Sequence, residues 1–443
     1  MPLHALLCCL VLGLSGCPPD PAPEVTYEGE VKDILNKRCA GCHQADSIAP
    51  FTLSNYEQAS NLSSVIAHSV EQGSMPPWMP DNTCNNYERD LSLSDEEREA
   101  LLDWAAIGAP QGESGNNDDA GAQTATEIRV DTEISMPESY SPQVSPDDYR
   151  CFLMDWNQDR PKYVTGFKVV PGSAQIVHHV IAFVVNPSGV DDFIAMDEAD
   201  DGPGYTCFGS PVVGPQSVSS ATRWRWLASW TPGSGARPMP TGTGIAIQPG
   251  SKIVVQLHYN TLEDEPIEDQ TRLQLQLEDE VDRPALVLPL TNYRWLSGSE
   301  SMLIPAGSPD TVHSMSADLS ENVLGFLGGT IGLSTGDSFQ MHSIGLHMHL
   351  LGSSGRSWIE RADGKQQCLL DIPRWDFNWQ GAYEFTEPVT VHPGDRFNLE
   401  CQWDNSAGNQ SPINGEIPEP QDIEWGDGTR SEMCLAIAYV TAL

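Results

Sequence analysis

The sequence predicts a multidomain chain, a small all-α domain followed by two all-β domains of sandwich or jelly-roll type. Three observations lead there. Residues 24–112 place apolar side chains at helical spacing, whereas beyond residue 128 short β-branched runs lie between Gly, Pro, Asn and Asp. A polar, Gly/Asn/Asp-rich stretch, Gln111 to Thr126 (QGESGNNDDAGAQTAT), separates the two regions and reads as a flexible linker over 113–127. The roughly 315 residues that follow are too many for one sandwich, so two are expected, 128–287 and 288–443.

Residues 1–17 precede these domains and read as a targeting segment. Leu6 to Leu14 is apolar but shorter than the about 20 residues that span a bilayer. Leu14-Ser15-Gly16-Cys17 resembles a lipobox, which makes Cys17 the lipidated first residue of the mature chain. No Lys or Arg precedes the apolar run, and an ordinary cleaved signal peptide is the other reading. Both export the chain, and the lipobox anchors it to a bacterial membrane in the periplasm or at the cell surface. Pro18 to Pro23 follows as an extended tether. Acidic residues outnumber basic ones 62 to 23, a formal charge of −39 that suits solubility outside the cell. Such a polyanion repels phosphate backbones, so nucleic acid is excluded as a partner. Of the 11 cysteines, Cys8 and Cys9 leave with the leader and Cys17 takes lipid. The others can form disulfides or hold a cofactor in an oxidising compartment.

The first domain, 18–112, has three predicted helices. Tyr27 to Arg38 carries Val31, Ile34 and Leu35 on one face, and a second helix covers Tyr56 to Gln72. The third opens on Ser94-Asp95-Glu96-Glu97, which has capping-box spacing, and stops at Gly108 and Pro110. Between the first two sits Cys39-Ala40-Gly41-Cys42-His43. C-x-x-C-H is the attachment pattern of c-type haem: two thiols add to the vinyl groups and the adjacent His ligates the iron. A disulfide or a redox C-x-x-C beside a chance His is the alternative. The sixth ligand is expected from Ser74-Met75-Pro76-Pro77-Trp78-Met79-Pro80, where prolines stiffen the loop. Met75 is the first choice and Met79 the second, and His68 reads as a surface residue. A His/Met pair raises the haem potential, which suits electron transfer. The segment resembles a single-haem class I cytochrome c domain.

Strands are predicted at Val164–Val170, Ile176–Val185, Ile253–Tyr259, Arg272–Leu277 and Leu435–Val440. Three of the histidine groups beyond residue 128 stand out: His178-His179 in QIVHHV, His258 in VQLHY, and His347-Met348-His349 before Gly352. On a strand, His347 and His349 face one side about 6.8 Å apart, so two imidazoles can converge on one metal. Exposed or pH-sensing histidines would explain the pair as well. His178 and His179 face opposite sides of a regular strand, so both serve one metal only at a bulge or a strand end.

In this order the chain carries HH, QLHY, LHMHLLG, VHPGD and WGDGTRSEMC. The set resembles the copper type II, ascorbate-dependent monooxygenases, the dopamine and tyramine β-monooxygenases and peptidylglycine hydroxylases, over about residues 128 to 443. The resemblance is strong at these motifs and thin between them. It implies two packed jelly-roll-type sandwiches, each holding one copper beside a solvent-filled cleft. It further implies that His178, His179 and His258 hold the electron-accepting copper. His347, His349 and Met433 then hold the copper that meets O2 and substrate. A thioether favours Cu(I), although Met is also a common gap-filler in cores. Within this frame Cys401–Cys434 would pin the Met ligand, and Cys151–Cys207 would close around the first histidines. Cys84 and Cys368 stay unassigned, as a bridge between domains or as two free thiols.

The implied reaction inserts one oxygen atom of O2 into a C–H bond of a small molecule and needs two electrons. The donor is ascorbate-like or a redox protein; here a haem on a flexible tether is expected to reach the His178/His179/His258 copper. In peptide-amidating relatives a carboxylate is clamped from positions that correspond to Gly345, Leu435 and Ile437. None of these side chains can do so, which points to an aromatic or largely apolar substrate. Two readings compete: a lipid-anchored copper-binding or electron-transfer module, and an exported zinc hydrolase. The second lacks an H-E-x-x-H base and leaves Met433 unexplained.

Overall fold

The computed structural model describes residues 25–44, 49–113, 127–145, 147–213, 223–231, 235–261, 267–322, 328–412, 417–426 and 430–443. The leader, Cys17 and most of the expected linker (114–126) lie outside them.

Residues 25–113 carry helices. Tyr27–Val31 is a π-helical turn capped by Thr26, and it runs into the α-helix Lys32–Arg38. The expected second helix is broken at Leu62 into Tyr56–Asn61 and Ser63–Glu71. Asp95–Ala106 begins with the expected capping box, in which Ser94 and Glu97 each accept the other's backbone N–H. Tyr27, Leu35, Leu101 and Trp104 pack these helices around a core of their own.

The rest is β-structure in three sheets. A five-stranded sheet runs Tyr205–Thr206, Asp147–Asp155, Lys252–Asn260, Val177–Val185, Trp224–Trp230 in spatial order. A four-stranded sheet runs Thr311–Ala317, Arg396–Trp403, Gly352–Glu360, Gln366–Ile372. A nine-stranded sheet backs both. Its main path runs Thr132–Ser135, Arg272–Glu278, Lys162–Val170, Thr243–Ile247, Arg283–Leu290, Leu435–Ala442, Phe339–His347, Ala382–Val391. Alternation does the layering: Leu273, Leu275 and Leu277 point inward while their neighbours face out. One core lies under the five-stranded sheet and another under the four-stranded one.

Two expectations change here. The boundary near residue 288 falls inside Arg283–Leu290, which pairs parallel with Thr243–Gly244 and antiparallel with Leu435–Ala442. The two sandwiches therefore share one sheet. Nor does the helical region hang from a tether alone. Cys84–Cys368 ties it to the four-stranded sheet, and Trp78 and Tyr87 pack on Tyr383. Tyr87 donates to the Leu369 carbonyl at 2.9 Å, and Arg89 pairs with Glu384 at 2.8 Å. The other disulfides are Cys151–Cys207 and Cys401–Cys434. Three disulfides suit an exported protein. Among the described residues no helix is long and apolar enough to cross a membrane.

Candidate metal centres

The first centre is built on the five-stranded sheet. Val180, Ala182 and Val184 point into the core, so regular alternation would send His178 inward as well. It does not. The register slips between Val177↔Tyr259 and His179↔His258, leaving His178 as the extra residue of a bulge. Val177 is inward, and His178 and His179 both join His258 on the outer face. His179 Nδ1 lies 3.4 Å from His178 Nδ1 and 3.3 Å from His258 Nδ1. One ligand atom from each of the three falls within 4.8 Å of the others. Donors about 3.3 Å apart match a tetrahedral pair at metal–nitrogen distances of ~2.0–2.1 Å.

The tautomers agree with this. His258 Nε2–H donates to Asp147 Oδ1 at 2.8 Å, which leaves Nδ1 unprotonated and aimed at the cluster. Tyr149 stacks flat on the His258 ring at 4.1 Å. Burial and the neighbouring imidazoles push His178 down to about 4 and His179 well below its usual value. Both are held neutral, the form that ligates a metal.

The second centre sits where Phe339–His347 ends. His347 is the last strand residue, and His349 lies in the turn beyond it rather than on the strand as expected. The turn still brings the rings together, with centroids 5.0 Å apart. His347 Nδ1–H donates to Gln380 Oε1, and His349 Nδ1–H to the Ser431 carbonyl at 2.9 Å. Both Nε2 atoms are thereby left as acceptors. Met433 lies between two anchors: Ser431 on His349, and Leu435 in register with His347. The segment is clamped from below by Glu432, a fully buried carboxylate. It accepts from His349 N (2.8 Å), Leu351 N (2.7 Å) and Trp403 Nε1 (2.8 Å). Burial pushes its pKa up to about 7 against the pull of these donors. Cys401–Cys434 closes the same clamp. Gly352 has a steric reason: a Cβ there would lie 2.6 Å from Trp375 Cδ1, and Trp375 Nε1–H donates to the His349 carbonyl at 3.1 Å.

The two centres face one interface between the sandwiches. Ser343, Gly345 and His347 point away from the C-terminal core, as do their partners Tyr439, Ile437 and Leu435. Ile437 packs with the outer face of the five-stranded sheet. Phe208 touches Tyr149 on one side (4.2 Å) and His349 on the other (6.3 Å). Gly345 has no room for a longer side chain, since its Cβ would lie 2.8 Å from the Gly381 carbonyl. A cavity of about 110 Å³ opens on this face, lined by Trp226, Met239, Ile437 and Ala382. A larger one, about 640 Å³, borders the first centre at Asp147, Tyr149 and Phe208.

In the helical region Cys39 and Cys42 remain thiols, while the other six described cysteines are bridged. Burial pushes the Cys39 thiol up to about 12 and the Cys42 thiol upward. His43 is buried against Phe51 and donates Nδ1–H to the Phe51 carbonyl at 3.2 Å, leaving Nε2 as an acceptor. The donor set therefore fits a covalently attached haem. Met79 accepts a hydrogen bond from Asp376 N at 3.2 Å and packs on the C-terminal core. Met75 makes neither contact, and His68 is exposed.

Sequence reasoning named the histidines but not Asp147, Gln380, Ser431, Glu432 or Trp375. Their partners come from strands and turns remote in sequence, with no fixed spacing to reveal them.

No family model and no curated protein matches the chain. Among solved structures, a protein from Eubacterium rectale aligns at 8% identity over 91% of this chain and 88% of its own, with a TM-score of 0.17. The VP2 subviral particle of infectious bursal disease virus aligns at 10% identity over 74% of each chain, with a TM-score of 0.16. Superpositions this loose carry no argument about fold or function.

Proposed function

We propose that the chain is a copper-dependent monooxygenase that hydroxylates a C–H bond of a small, largely apolar molecule with O2, supplied with electrons by its own N-terminal haem domain. One observation carries the reading: two histidine groups meet at one interface, and in each a hydrogen bond to a protein acceptor fixes the orientation of the imidazole. His178, His179 and His258 would hold one copper, and His347, His349 and Met433 the other. Cys39, Cys42 and His43 would hold the haem. Met75 is favoured over Met79 as the second residue that would hold its iron, because Met79 is engaged by the sandwich. When bound, copper supplies one-electron redox chemistry and O2 reduction, with one oxygen atom entering the substrate and the other leaving as water.

The remaining roles belong to the chain. Asp147 orients His258 and raises its basicity; Gln380 and Ser431 do the same for His347 and His349. Glu432 holds the Met433 segment against the His349 turn. Gly345, Leu435 and Ile437 present an apolar floor beside His347, which offers a charged substrate group no partner. Tyr149 and Phe208 wall the interface.

The test is copper per haem in protein starting at Pro18, beside Met433→Ala, followed by O2-uptake screening and mass analysis of products made with isotopically heavy O2. Near two coppers per haem, and one heavy oxygen atom in a product, are expected. Two coppers and haem redox cycling with no product from any substrate class would replace the enzyme by an electron-transfer module.

A further inference from the structure

The expected entry point for haem electrons was the His178/His179/His258 cluster. The contacts lead elsewhere. The haem-bearing region is bound at Cys84 to Cys368, and the chain runs from Cys368 through the strand Gln366–Ile372 into the loop 373–380. Every second residue or so of that loop touches a centre. Arg374 donates to the Gln72 carbonyl at 3.1 Å and to the Gly73 carbonyl, just before Met75. Asp376 N–H donates to Met79 Sδ. Trp375 is buried and its indole N–H holds the His349 carbonyl at 3.1 Å. Phe377 stands edge-on to the His349 ring at 6.2 Å, and Gln380 accepts from His347. Toward the three-histidine cluster the loop offers one group, the Asn378 side chain against His178.

Resting on the haem and copper assignments above, we infer that electrons from the haem enter at the His347/His349 centre through the Trp375–Asp376 segment, and not first at the three-histidine centre. Each passage moves one electron: the haem iron goes from ferrous to ferric, the copper from cupric to cuprous, and no proton or bond is exchanged. Trp375 acts as a positioning and relay residue. It follows Arg374, which holds the Gln72 and Gly73 carbonyls just before Met75, and its indole is one hydrogen bond from the backbone of His349.

The test is flash reduction of the haem by a photoexcited ruthenium complex under anaerobic conditions, with haem reoxidation followed in the visible absorption band. Haem absorbance and copper content are measured on every protein, so a failure of the cofactor assignments shows as missing haem or copper, before any kinetics. The proteins are the parent, His258→Ala, His349→Ala, Trp375→Phe and Arg374→Ala, each checked by thermal melt and by the copper electron paramagnetic resonance spectrum. Fast reoxidation should persist in His258→Ala and vanish in His349→Ala. Compared at equal copper occupancy, it should slow roughly tenfold in Trp375→Phe, the low end of the roughly 10–100-fold that loss of a partner of a metal ligand costs. Arg374→Ala, on the surface, should slow it in the same direction if Trp375→Phe does not fold. Loss of the fast phase in His258→Ala with retention in His349→Ala would overturn the inference. So would an unchanged rate in Trp375→Phe, or a loaded parent whose haem is not reoxidised.

Discussion

Glu432 is the residue whose removal should say most about how the second centre is built. Its side chain is fully buried and accepts three N–H donors, two at Oε2 and one at Oε1. Removing the carboxylate in Glu432→Ala leaves His349 N, Leu351 N and Trp403 Nε1 without an acceptor in a dry site. At about 1–3 kcal/mol for each unsatisfied donor the cost is roughly 3–9 kcal/mol, comparable with the whole stability of a typical domain. Glu432→Gln is the graded control. With its carbonyl oxygen at the Oε2 position it still serves His349 N and Trp403 Nε1, and only Leu351 N faces an amide donor, a loss of about 1–3 kcal/mol. The assay is urea unfolding followed by tryptophan fluorescence, with copper bound per chain measured alongside. The expected order is parent, Gln, Ala in falling midpoint, with second-centre copper lost in the Ala variant before the fold is. Equal midpoints for the three proteins would show that the donors find water instead, and the clamp argument would be refuted.

Other outcomes follow from the same contacts. Asp147→Asn should weaken copper at the first centre 10–100-fold, in the range roughly expected when a histidine loses its carboxylate partner, and leave the second centre alone; a chelator competition titration reads both. Cys84→Ser removes a cross-link of sequence separation 284, worth on the order of 5–6 kcal/mol in chain-entropy terms, and should free the helical region to limited proteolysis; an unchanged digestion pattern would count against the docked arrangement. Copper at about 100 times its dissociation constant should stabilise the native state by ~2.7 kcal/mol over the chelated protein in a melt, and His258→Ala should lose part of that gain. Cys39→Ser with Cys42→Ser should abolish haem that survives denaturing electrophoresis, while the parent band still stains for haem.

Much of this was legible from residue order, and the reasons it stopped where it did are physical. The capping box at Ser94 and the alternating strand Arg272–Glu278 depend on local periodicity, and they stand as read. The adjacent histidines posed a condition, a bulge or a strand end, because two neighbours cannot share a face otherwise; the slip at His178 meets it. The break at Leu62 carried no Gly or Pro to announce it. The turn position of His349 was hidden because H-x-H spacing is met equally by a strand and by a strand that ends at its first histidine. What no spacing could supply is the set of partners. Asp147 reaches His258 across a separation of 111 residues and Gln380 reaches His347 across 33, each through strand pairing or loop packing decided by the whole fold. The same holds for Cys84 and Cys368, two thiols with no local reason to meet.

The shared sheet bears on how firmly the two centres are held together. Leu286 to Leu290 is zipped to Ala436–Val440 in unbroken antiparallel register, so Arg283–Leu290 belongs mechanically to the C-terminal sandwich. The same strand is also held by the N-terminal sandwich: Arg283 and Pro284 pair with Thr243 and Gly244, Ala285 is buried in that core with Val287 packed against it, and Tyr439 on the neighbouring strand meets Thr243 Oγ1 at 2.8 Å. The contacts that fix His258, His347 and His349 each stay within one sandwich. The helical region is bound to the C-terminal sandwich through Cys84, Tyr87 and Arg374. On the proposed function, the electron donor is thus fixed to the half that carries His347 and His349.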